Sequence, residues 1–147
     1  MKIVLAADHG GFEFKEKIKP WLISLGHTVV DVGAFKHDKL DGYDKFTLAA
    51  VKKMREDKNS FGIVFCRTGA GPVMLANRFK RINAVACDSA ELARLTRAKN
   101  NANMLCLGAD YLSFDTCKEI IEIFLNTQFL EGIYRARIDT HDKFGED

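Results

Sequence analysis

Apolar residues along this chain fall into two alternating patterns. Short, nearly continuous apolar runs occupy residues 3–7, 28–32, 62–66, 84–87 and 104–107 and are rich in Val, Ile, Leu, Ala and Cys. A run without polar alternation reads as a strand covered on both faces, the habit of a parallel sheet. The longer segments between them repeat their apolar residues at helical spacing. Residues 12–25 carry Phe14, Ile18, Trp21, Leu22 and Leu25, and residues 43–54 carry Phe46, Ala50, Val51 and Met54. Residues 72–79 carry Val73, Met74, Ala76 and Phe79, and segments 89–99, 113–126 and 129–140 complete the set. The order βαβαβαβαβαα defines a three-layer α/β domain around a parallel sheet of about five strands.

Three local features modify this outline. Pro20 lies inside the first helical segment, where it is expected to kink the helix or end it early. Residues 33–41 (GAFKHDKLD) are polar and aperiodic and read as a loop. Residues 141–147 are polar and are expected to fray.

Composition narrows the class. The 147 residues suit one domain over 1–147, since domains run roughly 100–200 residues. Lys and Arg total 22 against 20 Asp and Glu, a net charge of +2, so no concentrated basic face argues for nucleic acid. No apolar run approaches the ~18 residues of a membrane span. Asp8-His9 interrupt the N-terminal run before it could serve as a secretory signal. A cytoplasmic protein with neither membrane nor nucleic-acid partner is expected. Four cysteines, Cys66, Cys87, Cys106 and Cys117, form no C-x-x-C pair and no zinc spacing. Those inside apolar runs read as reduced, buried hydrophobes.

Ligands of open α/β sheets bind beyond the carboxyl ends of the strands. The residues just past the predicted strands therefore matter: Asp8 to Gly11, Cys66 to Gly71, Asp88-Ser89 and Gly108 to Asp110. The last turn of segment 89–99, running into Lys99-Asn100-Asn101, is read as facing the same crevice. In the loop Arg67-Thr68-Gly69-Ala70-Gly71, two glycines permit close backbone approach, and Pro72 suits the first turn of the next helix. Such a loop can cradle phosphate or a developing enolate oxygen; it can equally be a tight turn without a ligand. It lacks the third glycine of a dinucleotide fingerprint. Arg67 and the helix start are expected to lower the Cys66 thiol pKa, making it a base or nucleophile, against the alternative of an inert buried thiol. Asp8-His9 can bind a sugar hydroxyl or supply an acid, or can be a helix cap followed by a surface histidine. His27, His37 and His141 have no partner pattern and read as surface residues.

Several of these motifs together carry a resemblance. Asp8-His9-Gly10-Gly11, Thr68-Gly69-Ala70-Gly71, Asn77-Arg78, Asn100-Asn101-Ala102-Asn103 and Arg135-Ala136-Arg137 resemble the type B ribose-5-phosphate isomerases and the related galactose-6-phosphate isomerase subunits. The likeness runs from Lys2 to about Asp139. It implies a Rossmann-like α/β/α sandwich and an aldose–ketose isomerase acting on a sugar phosphate without metal or cofactor. It also implies a homodimer, or dimers paired into tetramers, with the C-terminal helix and the active site at the dimer interface. Ribose 5-phosphate to ribulose 5-phosphate, a step of the pentose phosphate pathway, is the leading expectation. By the family motif, Cys66 is the general base and Thr68 with the N–H groups of Gly69, Ala70 and Gly71 holds the cis-enediolate. Asp8, His9, Tyr43 and Asn100 match substrate-binding positions, and Arg137 matches a phosphate-binding arginine contributed across the dimer.

The departures from the family pattern are equally specific. Lys99 replaces the histidine that opens the sugar ring, and lysine is a weak general acid near neutrality. Arg67 replaces a glycine, Asp110 an arginine and Ile133 the first arginine of the C-terminal pair, while Tyr43-Asp44-Lys45 replaces Tyr-Pro-Asp. Gly71-Pro72-Val73-Met74 leans toward one galactose-6-phosphate isomerase subunit, a type that generally lacks the cysteine kept here. Arg67, Lys99 and Arg135 are thus cations at unusual places, and a phosphate grip rebuilt around Arg67, Lys99 and Arg137 is expected. Galactose-6-phosphate, allose-6-phosphate and tetrose-phosphate isomerases remain alternatives, as does a non-catalytic sugar-phosphate-binding subunit of a hetero-oligomer.

Overall fold

The computed structural model describes all 147 residues, Met1–Asp147. The strands are β1 (Lys2–Ala7), β2 (Thr28–Asp31), β3 (Phe61–Cys66), β4 (Ala84–Ala86) and β5 (Met104–Gly108). The helices are α1 (Phe12–Ser24), α2 (Tyr43–Glu56), α3 (Ala70–Ala76), α4 (Ala90–Asn100), α5 (Phe114–Asn126) and α6 (Ile133–Ile138), followed by a 3-10 turn at His141–Lys143. All strands are parallel, in the order β2-β1-β3-β5-β4.

Alternation along each strand divides the core in two. Ile3, Leu5, Ile63, Phe65, Leu105 and Leu107 face α1, α4 and α5 through Ile18, Leu22, Ala93, Ile120 and Phe124. Val4, Ala6, Val64, Met104 and Cys106 face α2 and α3 through Phe46, Ala50, Val51, Met54 and Ala76. The result is the α/β/α sandwich that continuous apolar strands demand. The edge strand β2 differs from its predicted double-sided burial: its residues are exposed or only half-buried, because only one neighbour and one helical layer cover it.

Two further expectations fail. Helix α1 runs unbroken past Pro20 to Ser24. Pro20 and Glu16 are both exposed, so water can solvate the carbonyl that loses its donor four residues back. The C-terminal residues do not fray. Lys80 N–H donates to Glu146 O at 3.0 Å, Glu146 N–H to Arg78 O at 2.8 Å, and Arg81 N–H to Asp142 Oδ1 at 2.7 Å. Helix α3 starts at Ala70, before the predicted start at residue 72, and so takes Pro72 into its first turn.

The chain leaves β1 to form β2 on one side, then returns through α2 to β3 on the other. The carboxyl ends of β1 and β3 are therefore a topological switch point, where ligands of such sheets bind. Asp8 and Cys66 stand at those two ends.

Candidate active site

The loop after β3 wraps the Cys66 sulfur. Gly69 adopts φ +83° as the cap of α3, a conformation that L side chains rarely adopt. This turn aims its N–H at Cys66 Sγ, 2.9 Å away. Ala70 N–H donates to Thr68 Oγ1 at 3.2 Å. Two backbone donors expected to hold an enediolate are thus already engaged, one on the base and one on Thr68. Gly71 N–H has no partner within the chain. A Cβ at Gly71 would lie 2.6 Å from the Tyr43 ring, so the aromatic closes directly over this loop.

The expected lowering of the thiol pKa does not occur in the isolated chain. Burial pushes Cys66 up from its ordinary value, and the Asp8 charge adds to this. The Gly69 and Thr68 N–H groups and the Thr68 hydroxyl pull it back only in part. Arg67 gives no help, because its Nε donates to Asp110 Oδ2 at 2.8 Å.

The loop after β1 is equally tied. Asp8 is buried, and its Oδ1 accepts from Gly10 N–H at 2.9 Å and Gly11 N–H at 3.2 Å. Burial raises the Asp8 pKa, against those N–H bonds and the His9 charge. His9 is held by Asp41: its backbone N–H and Nδ1 each lie 2.8 Å from Asp41 Oδ1. That bond raises the His9 pKa. Asp41 was not recognisable from sequence, since it sits 32 positions away in the aperiodic loop. His37 is exposed as expected, yet its ring meets the His9 ring edge-on at 6.4 Å. With Gly10, Lys39, Arg67 and Asp110, the two histidines line a cavity of about 420 Å³. A second cavity, of about 360 Å³, opens beside Thr68 toward Asp88, Cys106 and Gly108.

Lys99 and Asn100 do not join this crevice within one chain. Helix α4 connects two parallel strands and so runs against them, ending where β5 begins. Asn103 O accepts from Gly62 N–H at the start of β3, which fixes this block at the amino edge of the sheet. The buried Arg97 holds it, with its guanidinium on the Asn101 side chain and the Ala102 carbonyl. Leu130 N–H on the Ala98 carbonyl brings the segment before α6 to the same end. There Arg135 is committed to Glu131 at 2.7 Å and Asp139 at 3.9 Å. Arg137 faces only the Tyr134 ring. Asn100 lines a third cavity, about 560 Å³, with Asn77, Asn83, His141 and Phe144.

No group of three or more His, Cys, Asp or Glu side chains is placed to hold a metal ion. All four cysteines are free and buried. No helix is long and apolar enough to cross a membrane.

A thiol wrapped by backbone donors, beside a buried carboxyl at the switch point of a doubly wound sheet, marks the small-molecule site of an α/β enzyme. Known proteins specify the class. The Ribose/Galactose Isomerase family model matches residues 3–141. The galactose-6-phosphate isomerase subunit LacA of Streptococcus agalactiae is 34% identical over 143 residues, 97% of this chain and 99% of that protein. The probable ribose-5-phosphate isomerase B of Mycoplasma pneumoniae is 33% identical over 136 residues, covering 92% and 90%. Among solved structures, a ribose 5-phosphate isomerase from Thermotoga maritima superposes with a TM-score of 0.92 at 36% identity, over 97% of each chain. The Mycoplasma genitalium ribose-5-phosphate isomerase B with bound ribulose-5-phosphate gives 0.94 at 32% identity, over 97% of this chain and 94% of that one. The chain belongs to the ribose/galactose isomerase family and is an aldose–ketose sugar-phosphate isomerase.

Proposed function

We propose that this isomerase interconverts ribose 5-phosphate and ribulose 5-phosphate, with Cys66 as the general base and neither metal nor cofactor. The observation that carries the reading is the Cys66 cluster: a sulfur held at 2.9 Å by Gly69 N–H, with the Thr68 hydroxyl beside it. The thiolate removes the C2 proton of the open-chain aldose. The C2–H electron pair becomes the C1=C2 bond, and charge moves onto the carbonyl oxygen. Gly71 N–H and the Thr68 hydroxyl are the donors available for that oxygen; one such donor typically contributes about 2.7–4 kcal/mol. Return of the proton to C1 and transfer of the O2 proton to O1 complete the ketose. Asp8, His9 and Tyr43 bind the sugar.

The site is complete only in a homodimer. Lys99, Asn100 and Arg137 lie at the amino edge in one chain, so a second copy delivers them to the Cys66 crevice. Leu130 and Ile133 beside them are more than 60% exposed, apolar surface that a partner would cover. Lys99 then stands over the substrate where the family has its ring-opening histidine, and its charge favours the thiolate that burial disfavours.

A hexose 6-phosphate is the second reading. Its support is the near-equal identity to galactose-6-phosphate isomerase subunits and ribose-5-phosphate isomerases, together with the Gly71-Pro72-Val73-Met74 stretch that leans toward one galactose-6-phosphate isomerase subunit. The deciding experiment is turnover of ribose 5-phosphate by the purified homomer beside Cys66→Ala, with galactose 6-phosphate, allose 6-phosphate and erythrose 4-phosphate as parallel substrates. Turnover of ribose 5-phosphate that the variant abolishes upholds the proposal. Greater kcat/KM on another sugar reassigns the substrate. No turnover on any sugar by folded protein favours a subunit that needs a paralogue.

A further inference from the structure

Arg67 follows the base directly, yet its side chain turns outward to Asp110. The contact engages Nε alone and leaves both terminal nitrogens of the guanidinium without a partner in the chain. The two side chains are 67% and 42% exposed, where an isolated ion pair adds little to stability. What the pair does instead is place a guanidinium on the rim of the 420 Å³ cavity, whose lining of His9, Gly10, His37, Lys39, Arg67 and Asp110 contains no apolar residue. The ion pairs at this cavity are His9–Asp41 and Arg67–Asp110. Lys39 makes no ion pair, and the Asp8 carboxylate also bears on Arg67; the cationic groups there open to an anion are Lys39 and the terminal nitrogens of Arg67.

Gly10 supplies an independent observation. A Cβ there would stand 2.2 Å from Arg67 Cγ and 3.3 Å from its Cδ. The stem of Arg67 crosses the β1–α1 loop through space that only glycine leaves open. Three positions are thus fitted to one another: room at Gly10, the cation at Arg67 and the anchor at Asp110. The family that the sequence resembles has the reverse arrangement, glycine at 67 and arginine at 110.

We propose that Arg67 binds the phosphate of the substrate from the same protomer that carries the base, with Asp110 as its positioning residue. Asp110 holds the Arg67 guanidinium over the cavity. The proposal rests on the isomerase reading above.

Steady-state kinetics on ribose 5-phosphate, with inorganic phosphate as competing ligand, tests it. Arg67→Met is expected to raise KM about 10- to 100-fold, the range of a lost charge-assisted contact, with a much smaller change in kcat. Inhibition by inorganic phosphate weakens in parallel. Asp110→Asn keeps the cation but loosens it, and KM rises about threefold. Gly10→Ala displaces the Arg67 stem and moves KM in the direction of Arg67→Met. The double variant Arg67→Gly with Asp110→Arg restores the family arrangement and recovers KM relative to Arg67→Met. Unchanged KM and phosphate inhibition in Arg67→Met, with wild-type turnover intact and lost in Cys66→Ala, overturns this inference and leaves the isomerase reading standing. If the wild-type protein isomerises none of the sugars, calorimetric titration with inorganic phosphate decides. Binding that Arg67→Met removes keeps the anion site and discards the base assignment. Absence of binding to wild type discards both.

Discussion

At the carboxyl edge of the sheet the reactive groups are already held. Cys66 Sγ accepts from Gly69 N–H, Asp8 accepts from Gly10 and Gly11, and His9 is fixed by Asp41. At the amino edge, Lys99 is exposed, and Arg137 has an aromatic ring for company but no carboxylate. The two edges differ because their tasks differ. A base and its oxyanion donors must stand in place before charge develops, since reorganisation during reaction would cost what preorganisation provides. On the proposed reading, phosphate-binding cations need only a rigid mount, which the end of α4 and helix α6 would give, facing another copy. The contrast predicts that removing the base at the first edge alters chemistry and that changes at the second edge alter binding.

The largest effect is expected at the preorganised edge. Removing the base with Cys66→Ala lowers kcat/KM by about 10²–10⁴-fold. Because burial raises the thiol pKa, the active thiolate is the minority form near neutrality. Wild-type kcat/KM therefore rises with pH above neutrality, and this limb vanishes in Cys66→Ala. A profile flat from neutral to alkaline pH would show that a thiolate is not the base.

A buried ion pair keeps this edge in place. Lys15 Nζ, on a side chain 0% exposed, lies 3.0 and 2.8 Å from the Asp31 oxygens. Asp31 also accepts from Gly33 N–H, and Gly33 and Ala34 bond back to Ala7. The loop that carries Asp41 thus starts from this anchor. Lys15→Met leaves Asp31 buried with only the half-exposed Lys19, and should cost about 3–5 kcal/mol in chemical denaturation. Burial pushes the Asp31 pKa up, but Lys15, Gly33 N–H and Lys19 outweigh it and the net shift is downward. Stability from this group is therefore full above the unfolded carboxylate value of about 3.9 and is lost as pH falls through the lower folded value. The variant should lose most of that acid-range dependence. A variant as stable as wild type would mean that the anchor is dispensable.

The split between edges has its own test. Arg137→Ala should raise KM about 10- to 100-fold with kcat little changed, in contrast to Cys66→Ala. Each variant retains the half that the other lacks. After subunit exchange, an equal mixture assayed with substrate well below the wild-type KM should regain about a quarter of wild-type activity, since half the dimers are mixed and each then holds one intact site. Activity that stays at the sum of the two variants would place both residues in a site built from one chain.

Much of this was legible in sequence, and the exceptions share a cause. The strands β1, β3 and β5 announce themselves because burial on both faces removes every polar residue from them but the leading Lys2. The Cys66 loop and the Asp8-His9 turn were readable because each is local. What escaped notice depends on contacts between distant segments. Asp41 reaches His9 across 32 positions and Asp110 reaches Arg67 across 43, and neither pair has a sequence signature. Within one chain Lys99 does not reach the crevice, for a topological reason: α4 starts beyond the end of β4 and ends where β5 begins, at the opposite edge. The Cys66 thiol pKa was misjudged because adjacency in sequence to Arg67 said nothing about where that guanidinium points.

The smallest expected effect concerns His9, which is held in place by Asp41 from the polar, aperiodic loop of residues 33–41. The Asp41 bond raises the His9 pKa above its ordinary value, so the imidazolium persists to higher pH than a free histidine would. Asp41→Asn keeps a hydrogen-bonding oxygen but removes the charge, and the His9 ring should titrate at lower pH when followed by NMR. A cationic His9 beside Lys39 and Arg67 favours an anionic ligand in the shared cavity. Substrate affinity should accordingly weaken in Asp41→Asn most where wild-type His9 is protonated and variant His9 is not. Well below both values the variant should bind the anion at least as tightly as wild type, because each then carries the cation and the variant lacks the Asp41 carboxylate. If His9 titrates identically in both proteins, Asp41 acts only as a tether. The ordered state of the carboxyl edge would then be geometric alone, with no electrostatic share from the loop.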